Sequence, residues 1–257
     1  MTDMKVNIAD KSFDTHGAIL QNLEFSARRG EFIALVGPSG AGKSTLLNIL
    51  AGLDQSYGGS IQWGGAELES DDTKLRLGML FQEPRLMPWL SVLDNISLVM
   101  PQTPDQFDKA SKLLADVGLS KWLHAWPNQL SGGMQRRAAL ARAFAVSPQL
   151  LLMDEPFVSL DLPTATRLRE ELIRLWERDK PLVVFVTHDL REALAMADRV
   201  LFMSSSPASI VLDYQVPDHE SRHIESPEIA ELQNNLLTSH PGLLSGLSGN
   251  AEGEQDD

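Results

Sequence analysis

One eight-residue stretch limits this chain more than any other: Gly37-Pro38-Ser39-Gly40-Ala41-Gly42-Lys43-Ser44, followed by Thr45. It lies between the apolar run Phe-Ile-Ala-Leu-Val at 32–36 and a helix-forming run that begins at Ser44. A G-x-x-x-x-G-K-[ST] loop in that strand–loop–helix context is a phosphate cradle. Its glycines let the backbone turn sharply and aim successive N–H groups at phosphate oxygens. The helix start adds the positive end of its dipole. Lys43 then reaches the β- and γ-phosphates of a nucleoside triphosphate, and the Ser44 hydroxyl takes Mg²⁺. On average residue usage, a chance match would occur in roughly 1% of chains this long, before the flanking strand and helix are counted.

The rest of the chain supplies a matching frame. Apolar runs at 32–36, 77–81, 150–153, 182–187 and 200–203 are mostly continuous rather than alternating, as in strands covered on both faces of a parallel sheet. Helix-forming stretches at 44–51, 134–146, 165–178 and 190–197 lie between them. That alternation predicts an α/β fold with a nucleotide at the carboxyl ends of the strands. The region from about 84 to 129 differs, being loop-rich and then helical at 106–117, and reads as an inserted helical subdomain, about 84–145. One nucleotide-binding domain is expected over 1–218. The tail, 219–257, is expected to be partly helical, then disordered and acidic, since it ends in Ala-Glu-Gly-Glu-Gln-Asp-Asp.

Charge and composition narrow the partners. A net charge of −13 over 257 residues repels phosphate backbones and argues against nucleic acid. The absence of cysteine excludes disulfides and thiolate metal sites. The first residues show no charged-then-apolar leader, and no apolar run approaches the length of a membrane span. A cytoplasmic protein is expected, one that reaches any membrane process through another chain.

Two further strand ends carry chemistry. Leu150-Leu151-Leu152-Met153 runs into Asp154-Glu155. Successive side chains on an extended chain point in different directions, so the two carboxylates can take two jobs. Asp154 can hold Mg²⁺, and Glu155 can take a proton from a water in line with the γ-phosphate, an effect typically worth ~10²–10⁴ in rate. His188 follows the run 182–187 and can hydrogen-bond the γ-phosphate. Gln82, after the run 77–81, can touch both metal and attacking water.

Leu130-Ser131-Gly132-Gly133-Met134-Gln135 opens another helix, with Ser131 as its cap. Two glycines at a helix start make a second anion-binding nest. One hydrolytic centre with two phosphate-binding surfaces is resolved economically by two copies facing head to tail. Each nucleotide is then held by one chain's lysine loop and the other's serine–glycine loop.

With these motifs in this order the chain resembles the ABC ATPase family: GPSGAGKST, Gln82, LSGGMQ, LLLMDEP, Ser159-Leu160-Asp161 and His188, spread over roughly residues 1–215. The resemblance implies a P-loop NTPase (RecA-like) core with a mostly parallel sheet and an N-terminal antiparallel β portion. It implies that Ser131, Gly132, Gly133 and Gln135 meet the nucleotide of a second subunit, with Asp161 tying the two sites together. It also implies that Ser44, Gln82 and Asp154 serve Mg²⁺. Phe13 falls where the family places an aromatic under the adenine, stacking worth ~1–3 kcal/mol; a core role is the alternative.

Phe81-Gln82-Glu83-Pro84-Arg85-Leu86-Met87-Pro88-Trp89 is similar to the import subunits for nitrate, sulfonate and taurine. That branch implies a homodimer on the cytoplasmic face of the membrane, transmembrane permease partners and, indirectly, an extracytoplasmic solute-binding protein. Leu86 to Trp89 would either receive a permease helix or pack the helical subdomain. Pro207-Ala208-Ser209-Ile210 and Val158-Ser159 depart from the branch's usual Pro-Gly-Arg-Ile and Ser-Ala. The competing class is a non-transport soluble ABC ATPase. Such proteins carry long coiled-coil or zinc insertions, or two nucleotide domains in one chain.

Overall fold

The computed structural model describes residues 3–14, 17–68, 75–218 and 223–246. Its elements are β1 (Met4–Phe13), β2 (Gly17–Ala27), β3 (Phe32–Val36), α1 (Lys43–Leu50), β4 (Gly58–Trp63), β5 (Ala66–Glu67), β6 (Leu77–Leu80), α2 (Val92–Ser97), α3 (Gln106–Asp116), α4 (Gly132–Ala145), β7 (Leu150–Asp154), α5 (Leu162–Asp179), β8 (Leu182–Val186), α6 (Leu190–Met196), β9 (Arg199–Met203), β10 (Ile210–Gln215) and α7 (Pro227–Ser239). The chain divides into two compact units. One comprises Thr2–Ala27, Phe32–Glu69 and Val186–Asp257; the other is chiefly Ser70–Phe185, with Arg28–Glu31.

The first unit holds the lysine loop. Strands β2-β1-β4-β5 form an antiparallel sheet, the expected N-terminal β portion. Along β1 every second residue from Met4 to Ile8 is buried, opposite Ala27, Phe25 and Leu23. This is the alternation of a strand with one wet face. Strands β10-β9-β3 follow a different rule. All five residues of β3 are buried, it runs parallel to β9 with Ala34 opposite Val200, and β10 closes the run antiparallel. Helix α6 packs on β3, and α7 packs on α6.

The second unit holds the helical insertion. Here β8, β7 and β6 are neighbours in that order, with β6 parallel to β7 and Leu77 opposite Leu150. Helix α4 lies on β6 and against α2, α3 and α5. Its approach to β6 is close: a methyl group on Gly78 would sit 2.4 Å from the Ala143 carbonyl oxygen. Residues 84–145, expected as an inserted helical subdomain, fall in the same compact unit as β6 and β7.

The tail is more ordered than its composition suggests. Helix α7 buries Ile229 and Leu236, and the turn after it buries Leu243. Residues 219–222 and 247–257, including the acidic end, lie outside the described residues.

Candidate functional site

In the first unit the chain leaves β3 into the glycine loop and re-enters order at α1. Gly40 and Gly42 stand at φ of 79° and 81°, left-handed backbone that glycine adopts without strain. Two of the loop's glycines are also spatially required. A methyl group on Gly42 would lie 2.7 Å from Ile19 Cγ2 and 2.9 Å from Leu20 Cδ2. One on Gly37 would lie 3.0 Å from the Met203 carbonyl oxygen. The loop is therefore pressed between β2 and the end of β9. Lys43 is nearly buried, and its Nζ donates to the carbonyls of Gly37 and Pro38, both at 2.8 Å, so the ammonium lies across the loop it closes.

The same unit presents His188 at the surface between two fixed neighbours. Thr187 is buried and donates to Glu192 at 2.7 Å, while accepting from the Asp189 N–H at 3.0 Å. Asp189 caps α6 by accepting from the N–H groups of Arg191 and Glu192. The imidazole thus projects from a turn whose backbone is held on both sides.

Phe13 is 41% exposed, which removes the core alternative. It borders a shallow hollow with Asn48, Leu53, Asp54, Gln55 and Ser56. Lys11, which sequence reasoning passed over, holds it there. The Lys11 ammonium sits 4.5 Å from the Phe13 ring centre and donates to Asp54 at 2.8 Å and the Ser56 carbonyl at 2.7 Å. Burial pushes the Asp54 carboxyl up, but hydrogen bonds from Lys11 and the Ser56 N–H, with the Lys11 charge, hold it below its ordinary value.

The second unit carries the acidic strand end and the serine–glycine loop. Asp154 closes β7, and Glu155 follows at φ 45°, left-handed backbone that costs a non-glycine residue on the order of 1–3 kcal/mol. The Glu155 side chain is half-buried. Gln82, just past β6, is exposed.

Ser131 caps α4, its hydroxyl accepting from the Met134 N–H at 3.3 Å. Gly133 is required internally, because a methyl group there would lie 2.5 Å from Thr164 Cγ2 at the start of α5. Gly132 is different. It is exposed, its φ is not left-handed, and a methyl group on it would meet nothing within 4 Å. Gln135 turns back into its own chain, its amide nitrogen donating to the Pro127 carbonyl at 2.9 Å and to that of Leu130 at 3.3 Å. Through these two bonds it braces the loop.

The loop is bolted to its neighbours by arginines that sequence reasoning also missed. Arg136 donates to the Pro156 carbonyl at 3.0 Å, tying α4 to the turn after Glu155. Arg137 donates to the Val117 carbonyl at 3.0 Å and lies 3.8 Å from Glu171, which also accepts from Arg167 at 3.1 Å. Glu171 is 4% exposed, and burial pushes its carboxyl above its ordinary value despite those arginines. Asp161 caps α5; its hydrogen bond with Thr164 keeps its carboxyl low. The arginines of the run Met-Gln-Arg-Arg were the available signal, but two basic residues on a helix are ordinarily a wet face.

Between Phe81 and Arg85 on one side and Leu98 and Val99 on the other lies a groove of 300 Å³. Its rim is set by Arg142, which donates to the carbonyls of Arg85 and Pro84, and by buried Asn95, which grips the Met87 backbone in both directions. Trp89 is 68% exposed nearby.

The lysine loop with His188 can hold and sense an anion; the second unit offers two carboxylates and a second helix-start nest. Among the described residues no group of three or more His, Asp or Glu is placed to hold a metal unaided. Ser44, Gln82 and Asp154 offer hydroxyl, amide and carboxylate oxygens. Each is a hard oxygen donor of the kind that Mg²⁺ takes beside phosphate oxygens and water.

Residues 20–158 match the ABC transporter family. The aliphatic sulfonates import ATP-binding protein SsuB 2 of Burkholderia lata is 42% identical, over 88% of this chain and 82% of its own length. The nitrate import ATP-binding protein NrtD of Synechococcus elongatus is 37% identical, over 85% and 83%. A dimeric ATP-binding cassette solved in a post-hydrolysis state with ADP and Pi superposes with a TM-score of 0.72 at 28% identity, covering 85% of this chain and all of that one. The match in sequence, fold and motif order establishes that the chain belongs to the ABC transporter family, in the branch of its import ATP-binding subunits.

Proposed function

We propose that this chain binds and hydrolyses ATP as one half of a head-to-tail homodimer, and that the cycle drives import of a small oxyanion or sulfonate through a permease. Gly132 carries the dimer reading. Among the described residues nothing lies within 4 Å of a methyl group placed on Gly132, so this helix start is open to a group that approaches from outside, and the γ-phosphate on a second copy's lysine loop is such a group.

The division of labour follows from the side chains. Phe13 stacks on adenine. The backbone of Gly37 to Thr45 cradles the phosphates, and Lys43 exchanges its loop carbonyls for phosphate oxygens. Ser44, Gln82 and Asp154 would hold Mg²⁺, which supplies charge neutralisation at the β- and γ-phosphates. Glu155 accepts a proton from the attacking water as its oxygen bonds to the γ-phosphorus and the bond to the β-phosphate oxygen breaks. His188 donates to a γ-phosphate oxygen. From the second copy come the Ser131 hydroxyl and the N–H groups of Gly132 and Gly133, with Asp161 at the seam.

Among the described residues no helix is long and apolar enough to cross a membrane. The groove beside Phe81 and Val99, with Met87 and Trp89 exposed near it, suits a short apolar helix of a permease on the cytoplasmic face. The named relatives import sulfonates and nitrate, which sets the class of cargo.

Phosphate release measured against protein concentration tests the dimer. Specific activity should rise with concentration, and added Ser131→Arg protein should poison wild-type activity while itself binding ADP. Full activity at high dilution, or indifference to the variant, would break the reading.

A further inference from the structure

The C-terminal segment touches the lysine loop at a place no motif announces. Ser226 caps α7 by accepting from the Ile229 N–H at 3.3 Å, and Ile229 and Leu236 bury the helix against α6. Arg191, in the first turn of α6, donates to Gln233 of α7 at 2.8 Å. Helix α6 begins two residues after His188. Beyond α7 the chain reverses at Gly242, buries Leu243 in a single 3-10 turn, and reaches Gly246 at φ 73°.

Gly246 is wedged. A methyl group there would lie 2.4 Å from the Ser205 nitrogen, 2.9 Å from the Ser204 carbonyl carbon and 3.1 Å from Pro38 Cγ. Pro38 is the second residue of the lysine loop, and Met203, just before Ser204, is the residue that presses on Gly37. One segment thus bears on the entry of the phosphate loop and, through α6, on the turn that presents His188.

We propose that residues 227–246 position the nucleotide loops, with Leu243 and Gly246 as positioning residues for the phosphate site. This rests on the reading of 37–45 as the triphosphate cradle. If the segment only covered the apolar face of α6, its loss would lower melting temperature and leave nucleotide affinity alone. A side chain on Gly246 would press on the Ser204–Ser205 backbone, next to the Met203 that abuts Gly37, and on Pro38 of the lysine loop itself, and so would act on the geometry of that loop.

ADP, which engages the lysine loop of a single chain, is titrated calorimetrically into full-length wild type, Gly246→Ala, Leu243→Ala and the exposed-face control Asn235→Ala. The first two variants should weaken ADP binding about five- to tenfold and raise KM for ATP similarly, with kcat within about twofold. The control should match wild type. Coupling is reciprocal, so ADP should slow hydrogen exchange of the amides of α7 and of 243–246 in the wild-type protein. Lower melting temperatures with unchanged ADP affinity, or exchange at 227–246 indifferent to ADP, would overturn the proposal. Should Gly246→Ala fail to fold, Leu243→Ala and the wild-type exchange decide it. Lys43→Ala separates the two readings: if it abolishes ADP binding while the positioning variants do not alter it, the cradle stands and the brace falls.

Discussion

The two glycine-rich loops look alike on paper and are built oppositely. In the lysine loop the glycines answer to their own chain: Gly42 is left-handed and pressed by Ile19 and Leu20, and Gly37 abuts Met203. In the serine–glycine loop Gly133 abuts Thr164, while Gly132 abuts nothing. One loop is a finished nest; the other is a half-nest whose open side waits for a surface. The same residue type therefore means internal packing in one place and, in the proposed dimer, external approach in the other. A Cβ test on the folded chain tells them apart where a motif does not.

Four measurements press on that contrast, in falling order of expected effect. Glu155→Gln should cut phosphate release by ~10²–10⁴ while ATP still binds. It should also accumulate an ATP-dependent dimer on size exclusion, joining the two kinds of loop on one nucleotide. Adding Gly132→Val to that background should abolish the dimer; in the otherwise wild-type protein the same substitution should reduce steady-state turnover by roughly 10²-fold, because its branched side chain holds the second copy's phosphate away from the N–H groups of the loop. Melting temperature and ADP affinity should not change. Gly42→Ala should do the reverse, costing about 1–3 kcal/mol of stability, read by denaturant unfolding, and weakening ADP binding in the monomer. If Gly132→Val unfolds the protein, or Gly42→Ala is silent, the contrast is wrong.

The smallest effect concerns the bolt behind the half-nest. The carboxyl of Glu171 is raised by burial, so its contribution to stability is fully present below the ordinary glutamate value. It declines as pH rises through the raised one. Glu171→Gln should flatten the melting temperature against pH as pH rises above the ordinary glutamate value of about 4.3. An unchanged slope would place the titration elsewhere.

Much of this was legible in sequence because local chemistry dictated it. The continuous apolar runs 32–36 and 150–153 became fully covered strands, and the spacing of the glycine loop demanded a strand before it and a helix after it. What escaped was set by partners far along the chain. Phe13 is held at the surface by Lys11, whose counter-charge Asp54 lies 43 residues away. Gln135 turned inward because two carbonyls of the preceding turn were there to receive it. Gly246 lies more than two hundred residues from Pro38, and a glycine in a polar, acidic tail gave no sign of a wedge. The helical part expected in the tail appears as α7, which packs on α6 and buries Ile229 and Leu236, but the sequence did not say which surface it would cover.

The left-handed backbone at Glu155 has an evolutionary corollary. A glutamate there is conformationally uncomfortable, whereas asparagine or glycine would rest easily. Selection on folding alone would erode this position; under the proposed role as base, selection on turnover maintains it. Descendants that gave up hydrolysis should drift to small or amide residues here while their lysine loops, locked by packing, stay as they are. A sequence collection showing the opposite order of loss would refute that history.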